Sequence, residues 1–425
     1  MYKPARSVLG SQGHGTLRSV TRGPLKILYL TPEYPGETHL GGLATFTANM
    51  SRGLADLGHE VHVLVCTPGL ARQDITAEGV FLHFRPVPGL RWSRHLPNFW
   101  DTRFRLATAT AFLNEYRGLG LRFDVVHASE FMAPALRLAR LAPALVVRLS
   151  APASLVVECD GLPLGRDNIW ADRLERRAAR QADVLVCPST LLLRRLRDSG
   201  WLDERPVVVV HTPVAGDAWS GLPPADRTEP IVLSVGRLEN AKGLDVLIDA
   251  LAKLMPDIPG LQLVLVGRAG GRMKGQTYAD FLAERAANLG VACTFAGERQ
   301  ALELRGFYAR ARVVAMASRF DSWGNVALEA LAAGRPVVCT TGSGVSDLVS
   351  RLDPAAIAPV DDPASLGESL RRYLVSPAVA ADVGRRGRDL VTSELSVAAI
   401  AQQMEAVYEE AIAIRTSLAP ARKSG

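Results

Sequence analysis

The chain has 425 residues, of which 48% are apolar and 22% charged, and these proportions exclude a disordered protein. The length predicts two domains of about 200 residues each. The net charge of +6 comes almost wholly from arginine, without the aromatic interleaving that accompanies nucleic-acid-binding motifs, so we expect no nucleic-acid partner.

The ends and the cysteines of the chain indicate its compartment. The first 23 residues are rich in Gly, Ser and Arg and lack the apolar stretch of a secretory signal, so we interpret them as a disordered lead-in. No apolar run reaches the roughly 18–20 residues that a membrane-spanning helix needs. Five scattered cysteines without CxxC spacing fit a reducing compartment, and we therefore expect a cytoplasmic protein.

Short, β-branched apolar runs alternate with helical patterns in the first half of the chain. The first helix is marked by Leu43, Phe46, Met50 and Leu54 at spacings of three and four, and Gly58 ends it. The predicted strands are 25–31, 61–66, 80–84, 124–127, 144–149, 184–187 and 207–211. Such continuous apolar runs are typical of a parallel sheet that is covered on both faces.

A loop over residues 215–229, rich in Gly, Pro and Asp, interrupts this alternation and marks the best domain boundary. The pattern resumes with predicted strands at 231–235, 262–266, 291–295, 313–316 and 336–339, and a last periodic helix covers about 397–414. The prediction is therefore an α/β protein with two successive doubly wound parallel-sheet domains, at 24–215 and 230–396.

Three glycine-bearing turns follow strands where such sheets bind ligands. Gly41 and Gly42 open the first helix, and its N–H groups can receive a phosphate. Gly236-Arg237 ends the strand at 231–235, and Lys242 precedes the next helix, so two cations can meet a diphosphate. Gly267 ends the following strand and is interpreted as pocket wall.

A fourth turn, Gly342-Ser343-Gly344, resembles the dinucleotide fingerprint, with Asp361 at a suitable distance. The third glycine of that fingerprint, which lets helix and strand pack closely, is missing. An NAD-dependent enzyme stays an alternative, and it predicts tight dinucleotide binding.

Two carboxylates, Asp321 and Glu329, lie eight residues apart around Gly324-Asn325, where a loop leads into a helix. A helix N-terminus beside two acids can hold a ligand that carries both phosphate and hydroxyl groups. Paired acids also occur in glycoside hydrolases, whose carboxylates lie about 5–9 Å apart, but hydrolases do not need the cationic turns.

This order of residues resembles the Glu-x7-Glu region of retaining glycosyltransferases of the GT-B fold, above all family 4 (glycosyl transferases group 1), with Asp321 in place of the first Glu. The Gly41-Gly42-Leu43 element and the stretch from Gly236 to Gly243 match the same family, and the resemblance covers roughly residues 25–418. It implies two Rossmann-like domains facing across a cleft, with a C-terminal helix at 397–418 that crosses back to the N-terminal domain.

The resemblance also implies roles for individual residues. Arg237 and Lys242 hold the donor pyrophosphate, Asp321 contacts the donor sugar, and Glu329 binds the ribose hydroxyls. Ser150 stands where the family commonly has a histidine that contacts the donor sugar. The catalytic group is thus Arg237, Lys242, Asp321 and Ser150, and the donor-binding group is Gly41, Gly42, Gly236, Arg237, Lys242, Gly267, Gly324, Asn325 and Glu329.

The N-terminal half departs from the family pattern. Ser129 replaces a second common histidine, and Ala317 replaces a common proline. A serine can exchange hydrogen bonds but cannot become a cation. His127 is interpreted as a strand-end residue that could reach the cleft, and His39 is a further cleft candidate.

The resemblance implies a retaining, front-face transfer in which the leaving phosphate helps to deprotonate the acceptor. It needs a nucleotide-sugar donor but no other cofactor, and without an Asp-x-Asp or His/Cys cluster we expect no metal. Two alternatives stay open: a GT-B scaffold that has lost transfer and acts as a partner subunit, and a pseudo-glycosyltransferase that couples a non-sugar group.

The sequence leaves the acceptor and the oligomeric state undetermined. The acceptor is chosen by the loops at 32–40, 69–79 and 86–101, and sugars, lipid-linked sugars and natural-product aglycones all remain open. In the last loop, Trp92, Phe99 and Trp100 stand with Arg91, Arg94 and Arg103. This cluster could pack, bind a sugar or an aglycone, or contact a membrane. The Arg-rich helix at 173–180 likewise has two interpretations, a solvated face or a basic surface for an anionic leaflet or acidic acceptor.

Overall fold

The computed structural model describes residues 23–35, 41–67, 71–87, 97–273 and 275–417 of the chain. Nearly all of the predicted lead-in lies outside this part, as do His39, Trp92, Arg91 and Arg94. The described strands form two large sheets with helices on both faces, which confirms the predicted two-domain α/β class. None of the described helices combines the length and the apolar character that crossing a bilayer requires.

The described N-terminal strands form an eight-stranded sheet in the order β3-β4-β2-β1-β5-β6-β7-β8. Every pairing is parallel except that of β3 with β4. The elements are β1 (Lys26–Thr31), α1 (Gly42–Asp56), β2 (Glu60–Thr67), β3 (Arg72–Ile75), β4 (Phe81–Pro86), α2 (Pro97–Gly118), β5 (Val125–Ser129), β6 (Ala144–Arg148), α3 (Ala153–Cys159), α4 (Arg166–Ala179), β7 (Val184–Cys187), α5 (Thr190–Asp198) and β8 (Val207–Val209).

The C-terminal part repeats the plan with a six-stranded parallel sheet and a small hairpin of β11 and β12. The order in the large sheet is β13-β10-β9-β14-β15-β16. The elements are β9 (Ile231–Val235), α6 (Leu244–Ala252), β10 (Gln262–Val266), β11 (Arg272–Met273), β12 (Gln276–Thr277), α7 (Tyr278–Asn288), β13 (Cys293–Gly297), α8 (Ala301–Arg310), β14 (Val313–Met316), α9 (Asn325–Ala332), β15 (Val337–Thr340), α10 (Ser346–Leu352), β16 (Ile357–Ala358), α11 (Pro363–Val375), α12 (Pro377–Glu394) and α13 (Val397–Ser417).

Burial explains which strands were visible in the sequence. Central strands such as β1, β6 and β14 are buried almost throughout, so they read as unbroken apolar runs. The edge strand β3 is exposed along its whole length and carries polar residues, and for that reason the apolar pattern missed it. The predicted strand at 291–295 begins two residues later, at Cys293, because Val291 closes the preceding turn.

The C-terminal helix α13 packs on the N-terminal domain. At its start, a Cβ on Gly53 of α1 would lie 2.6 Å from Val397 Cγ1, so only glycine allows this approach. At its middle, the buried Tyr408 hydroxyl lies 2.6 Å from Tyr29 Oη of β1 and 2.7 Å from His127 Nδ1 of β5. This helix therefore completes the core of a domain that begins almost 400 residues earlier in the chain.

A buried histidine pair links β2 and β4 inside the N-terminal domain. His62 Nδ1 lies 2.9 Å from His83 Nε2, and the two rings are stacked. His62 Nε2 contacts a Glu60 oxygen at 2.8 Å. Burial, with the nearby His62 and Arg85, lowers the pKa of His83 to about 4. The pair is therefore neutral in the folded protein at neutral pH.

We expect this pair to make the protein sensitive to acid. A free histidine takes up a proton near pH 6.5, whereas folded His83 does so near pH 4, so stability is complete above pH 6.5 and falls as the pH approaches 4. The loss should reach about 3 kcal/mol of unfolding free energy for this residue. Urea denaturation of the wild type and of His83→Phe between pH 7.5 and 5 tests this. The variant should lose less stability over that range, and equal pH slopes would contradict the assignment.

Candidate functional site

Two helix N-termini from different domains meet across the cleft. Gly41 precedes α1 in an extended conformation, and a Cβ on Gly42 would lie 3.1 Å from Asn325 Nδ2. Asn325 is the first residue of α9, which follows Gly324 at φ +105°. The first N–H groups of a helix have no acceptor within the helix and carry the positive end of its dipole. Groups arranged in this way favour the binding of an anion.

Lys242 places a cation beside the loop that leads into α9. Its Nζ lies 2.7 Å from Asp321 Oδ2, and both side chains are partly exposed. Asp321 also accepts the Trp323 N–H through Oδ1 at 3.2 Å. This bond orders the turn before Gly324, so Asp321 stabilises the loop and does not cap α9 itself.

Gly243 fixes the position of Lys242. Its φ is +58°, and a Cβ there would lie 2.1 Å from the carbonyl oxygen of Ala317. The loop from Gly236 to Lys242 thus touches the segment that precedes Asp321. Arg319 reinforces the contact, because its guanidinium donates to the Asn240 carbonyl at 2.8 Å and forms an ion pair with Asp245 at 2.8 Å.

Arg237 is more exposed than Lys242 and has a partner that the sequence reasoning missed. Its guanidinium lies 3.0 Å from Glu239 Oε1, and Glu239 is nearly buried. Burial raises the pKa of Glu239, and the charges of Arg237 and Lys242 act against that rise. Glu239 therefore orients Arg237 at the edge of the site.

The glycines at the ends of β9 and β10 lie against each other. The Gly236 N–H donates to Val266 O at 2.9 Å. A Cβ on Gly267 would lie 1.8 Å from the Gly236 carbonyl oxygen. No side chain fits at Gly267, so the two turns pack backbone against backbone at the strand ends.

Glu329 lies one helical turn after Asn325 on the same face of α9. Its Oε2 accepts a hydrogen bond from the Tyr308 hydroxyl at 3.0 Å. Burial raises the pKa of Glu329 to about 7, although the bond from Tyr308 favours the charged form. Tyr308 is itself fully buried and was not singled out from the sequence.

Ser150 follows β6 in the N-terminal domain. Its backbone N–H and its hydroxyl both donate to Glu130 Oε1, at 2.6 and 2.8 Å. Glu130 is fully buried, burial raises its pKa, and its Oε2 has no hydrogen-bond partner in the described part of the protein. The structure therefore couples Ser150 to a buried carboxyl group that the sequence reasoning did not assign.

The turn that resembles a dinucleotide fingerprint has a packing role. A Cβ on Gly342 would lie 2.4 Å from Arg319 O, and one on Gly344 would lie 2.3 Å from Ser322 O. These glycines let the turn pair with the Asp321 loop, whose Asp321 N–H donates to Gly342 O at 2.8 Å. The two glycines therefore let this turn pack closely against the backbone of Arg319 and Ser322.

His127 is not a cleft residue. It lies in the middle of β5, where its ring is buried, stacks on Tyr29 and is bonded to Tyr408, so the strand-end interpretation and the suggestion that it reaches the cleft are both wrong. Burial and Arg148 lower its pKa to about 3.

The domains also touch beside the site. Ser189 donates its hydroxyl to Ser322 O at 2.6 Å, and the ring of His211 stacks on Trp323 with centroids 4.2 Å apart. A cavity of about 410 Å³ opens between α3, α5 and the loops that carry Asn240 and Phe320. It adjoins Lys242 and Asp321 through those neighbours. In the described part of the chain, no three His, Cys, Asp or Glu side chains are arranged to hold a metal ion.

The site as a whole is defined by two doubly wound domains, with glycine turns, two cations and two helix N-termini at the facing strand ends. This is the architecture of a GT-B protein. Two family models match the chain and together cover residues 40–390 apart from 217 and 218. "Glycosyltransferase Family 4" matches residues 40–216, and "Glycosyl transferases group 1" matches residues 219–390. The chain belongs to this family and is a glycosyltransferase.

Known proteins resemble the chain over most of its length. It is 27% identical to the glycogen synthase of Mycobacterium tuberculosis, over 90% of this chain and 94% of the relative. Sucrose-phosphate synthase from Thermosynechococcus elongatus has the same fold, with a TM-score of 0.71 at 21% identity, over 92% of this chain and all of that one. Anabaena HepE in complex with UDP and glucose matches with a TM-score of 0.66 at 17% identity, over 91% and 99% of the two chains. These structural matches confirm the predicted GT-B fold.

Proposed function

We propose that the protein transfers a sugar from a nucleoside-diphosphate donor to an acceptor hydroxyl with retention of configuration, without a metal ion or a further cofactor. The observation that carries this proposal is the convergence of the α1 and α9 N-termini beside Lys242. A diphosphate gains negative charge as the glycosyl bond breaks, and fixed donors aimed at that charge stabilise the transition state. The solved complex of HepE with UDP and glucose supports a donor of this class.

For a retaining transfer, the engagement of the acids around the site favours a front-face step over a double displacement. Asp321 is paired with Lys242, Glu329 accepts from Tyr308, and Glu130 accepts from Ser150. Each of these three carboxyls therefore has a partner, and none is free to attack the anomeric carbon as the nucleophile of a double displacement. In the proposed step the bond from the anomeric carbon to the phosphate oxygen breaks, and the acceptor oxygen bonds to the same face. The acceptor proton passes to the departing phosphate.

The cations supply the charge compensation that a divalent metal supplies in other transferases. Lys242 and Arg237 would contact the diphosphate, and the lack of a metal-ligand grouping among the described His, Cys, Asp and Glu side chains supports independence from metal. The acceptor is not indicated by the relatives, because the names glycogen synthase and sucrose-phosphate synthase refer to different products.

The test is a thermal-shift panel with UDP, GDP, ADP, dTDP and NAD in the presence of EDTA, followed by product analysis. A ligand at about 100 times its Kd stabilises a protein by roughly 2.7 kcal/mol, which gives a measurable shift in Tm. A shift with one nucleoside diphosphate identifies the donor, and anomeric NMR couplings of the product then test retention. No shift with any of them would favour a GT-B scaffold that has lost transfer, and a shift with NAD alone would reverse the proposal.

The pKa of Glu329 gives a further prediction. Ribose hydroxyls donate to a carboxylate, so binding requires the charged form, whereas below about pH 7 the free protein carries a proton there. Nucleoside-diphosphate affinity should therefore rise about tenfold from pH 6 to pH 8. Calorimetric titration of the wild type and Glu329→Gln measures this, because the ionisation of the ligand itself affects both proteins equally. Identical pH profiles would show that Glu329 does not face the ribose.

A further inference from the structure

The outer face of α4 carries a stripe of cations around one tryptophan. Arg166, Trp170, Arg173 and Arg177 are all exposed, and their spacings of four, three and four place them on one side of the helix. The Trp170 side chain is 46% exposed, with Arg173 Cζ 5.6 Å from its ring centroid. One exposed indole is ordinary on a protein surface, whereas a contiguous apolar patch marks an interaction site, so the neighbours of Trp170 decide its meaning.

The first turn of α2 brings a second tryptophan to the same region. Asp167 of α4 accepts the backbone N–H groups of Asn98 and Phe99, at 2.9 and 3.2 Å, and so fixes the start of α2 against α4. Phe99 meets the edge of Trp170 at 6.5 Å between centroids. The next residue, Trp100, is 39% exposed, and Arg103 Cζ lies 5.9 Å from its ring centroid.

The loop that leads into α4 adds aliphatic side chains. Leu162 is 57% exposed and Leu164 is 43% exposed, and each residue from Gly161 to Arg166 is exposed. We call Trp100, Arg103, Leu162, Leu164, Trp170 and Arg173 the aromatic–arginine surface. This surface combines indoles, leucines and guanidinium groups. A helix face that is merely solvated, which was one interpretation of the sequence, would carry charged groups without the exposed apolar ones.

The acids on these elements do not neutralise the surface. Asp167 is committed to backbone N–H groups, and Asp172 accepts from Trp201 Nε1 at 3.0 Å and from Ser154. Glu175 is buried and accepts the Met132 and Ala153 N–H groups at 3.1 and 2.9 Å. On α4 four arginines outnumber these three acids, and burial raises the pKa of Glu175 to about 8, so the surface stays net positive.

We propose that the aromatic–arginine surface docks the protein on an anionic lipid bilayer. Indoles settle at the headgroup level of a membrane, leucines at a loop tip enter the acyl boundary, and each arginine near anionic lipid adds about 1 kcal/mol. An acidic polypeptide would satisfy the arginines alone, without using the projecting Leu162 and Leu164. Since Glu158 and Gly161 line the cavity between the domains, docking sets the mouth of that cavity beside the leaflet.

Vesicle flotation tests the proposal, with phosphatidylcholine vesicles that contain or lack phosphatidylglycerol. The wild type should float with the anionic vesicles only. Arg103→Gln/Arg173→Gln should weaken that binding about 30-fold, as expected for the loss of two arginine contacts. The matched control is Arg227→Gln/Arg385→Gln, which removes the same charge from exposed positions outside that surface and should have little effect.

Apolar substitutions separate docking from simple charge attraction. Trp100→Ser/Trp170→Ser should abolish flotation while Tm and nucleotide binding are kept, and Leu302→Ser, at an exposed leucine of α8, should change nothing. If the two double arginine variants lost vesicle binding equally, the proposal would be overturned, since only the net charge of the protein would then matter. Retention on immobilised polyglutamate without flotation would also overturn it, in favour of an acidic protein partner. Because nucleotide binding is measured separately, failure of docking leaves the proposed transfer function intact.

Discussion

Lys242→Ala should lower kcat by about 100- to 1,000-fold, because it removes a fixed cation from the point where diphosphate charge develops. In the free protein the lysine is held 2.7 Å from Asp321, so its position is set before the donor binds. A preorganised charge costs no rearrangement in the transition state, and its loss affects kcat more than it affects donor affinity. Single-turnover rates with the donor identified by the thermal-shift panel measure this effect.

The matched control is Lys253→Ala, which removes an exposed lysine just after α6 in the same domain and should leave kcat unchanged. Asp321→Asn completes a double-mutant cycle with Lys242. If the two residues act on the same transition state, the double variant should lose less than the product of the single losses. A kcat within a few-fold of the wild type in Lys242→Ala would remove this lysine from the mechanism.

Gly243→Ala should destabilise the protein by about 2–4 kcal/mol and impair catalysis at the same time. The residue has φ +58°, and an added Cβ would lie 2.1 Å from Ala317 O, where neither backbone can move freely. Relief of that clash requires Lys242 to separate from the Asp321 loop. Urea denaturation and steady-state kinetics of the same preparation measure the two effects.

Gly290→Ala is the control for Gly243→Ala. Gly290 has φ +66° in the same domain, but nothing lies within 4 Å of the position of its Cβ. It should therefore carry only the backbone penalty of about 1 kcal/mol, with unchanged kcat. Equal effects of the two substitutions would mean that the contact with Ala317 is unimportant.

The sequence predicted the sheets well because parallel strands buried on both faces leave unbroken apolar runs. It failed where that cause is absent, as in the exposed, polar β3. Glycine turns were visible for a similar reason, since Gly236, Gly243 and Gly267 occupy positions where a side chain would strike backbone or strain it. Such constraints are local and leave a trace in the residue itself.

Partners that are distant in sequence left no such trace. Glu130 lies 20 residues from Ser150, and Tyr308 lies 21 residues from Glu329. His211 meets Trp323 only because the two domains fold against each other. Likewise, Phe99 and Trp100 could not be assigned from the sequence, because the α4 residues that they lie beside are about 70 positions away. The glycine turns of the candidate site were therefore predictable from the sequence, whereas the distant groups that hold them in place were not.

The position of α13 has a consequence for biosynthesis. Strand β1 is synthesised early. Its Tyr29 hydroxyl can form its hydrogen bond with Tyr408 only after another 379 residues have been made. During translation the first domain therefore lacks one layer of its core, whereas the second domain has its sheet and covering helices before the last helix emerges. Domains usually mature in the order of synthesis. Here the nascent chain should acquire its protease-resistant state in the reverse order, with the older half finished last.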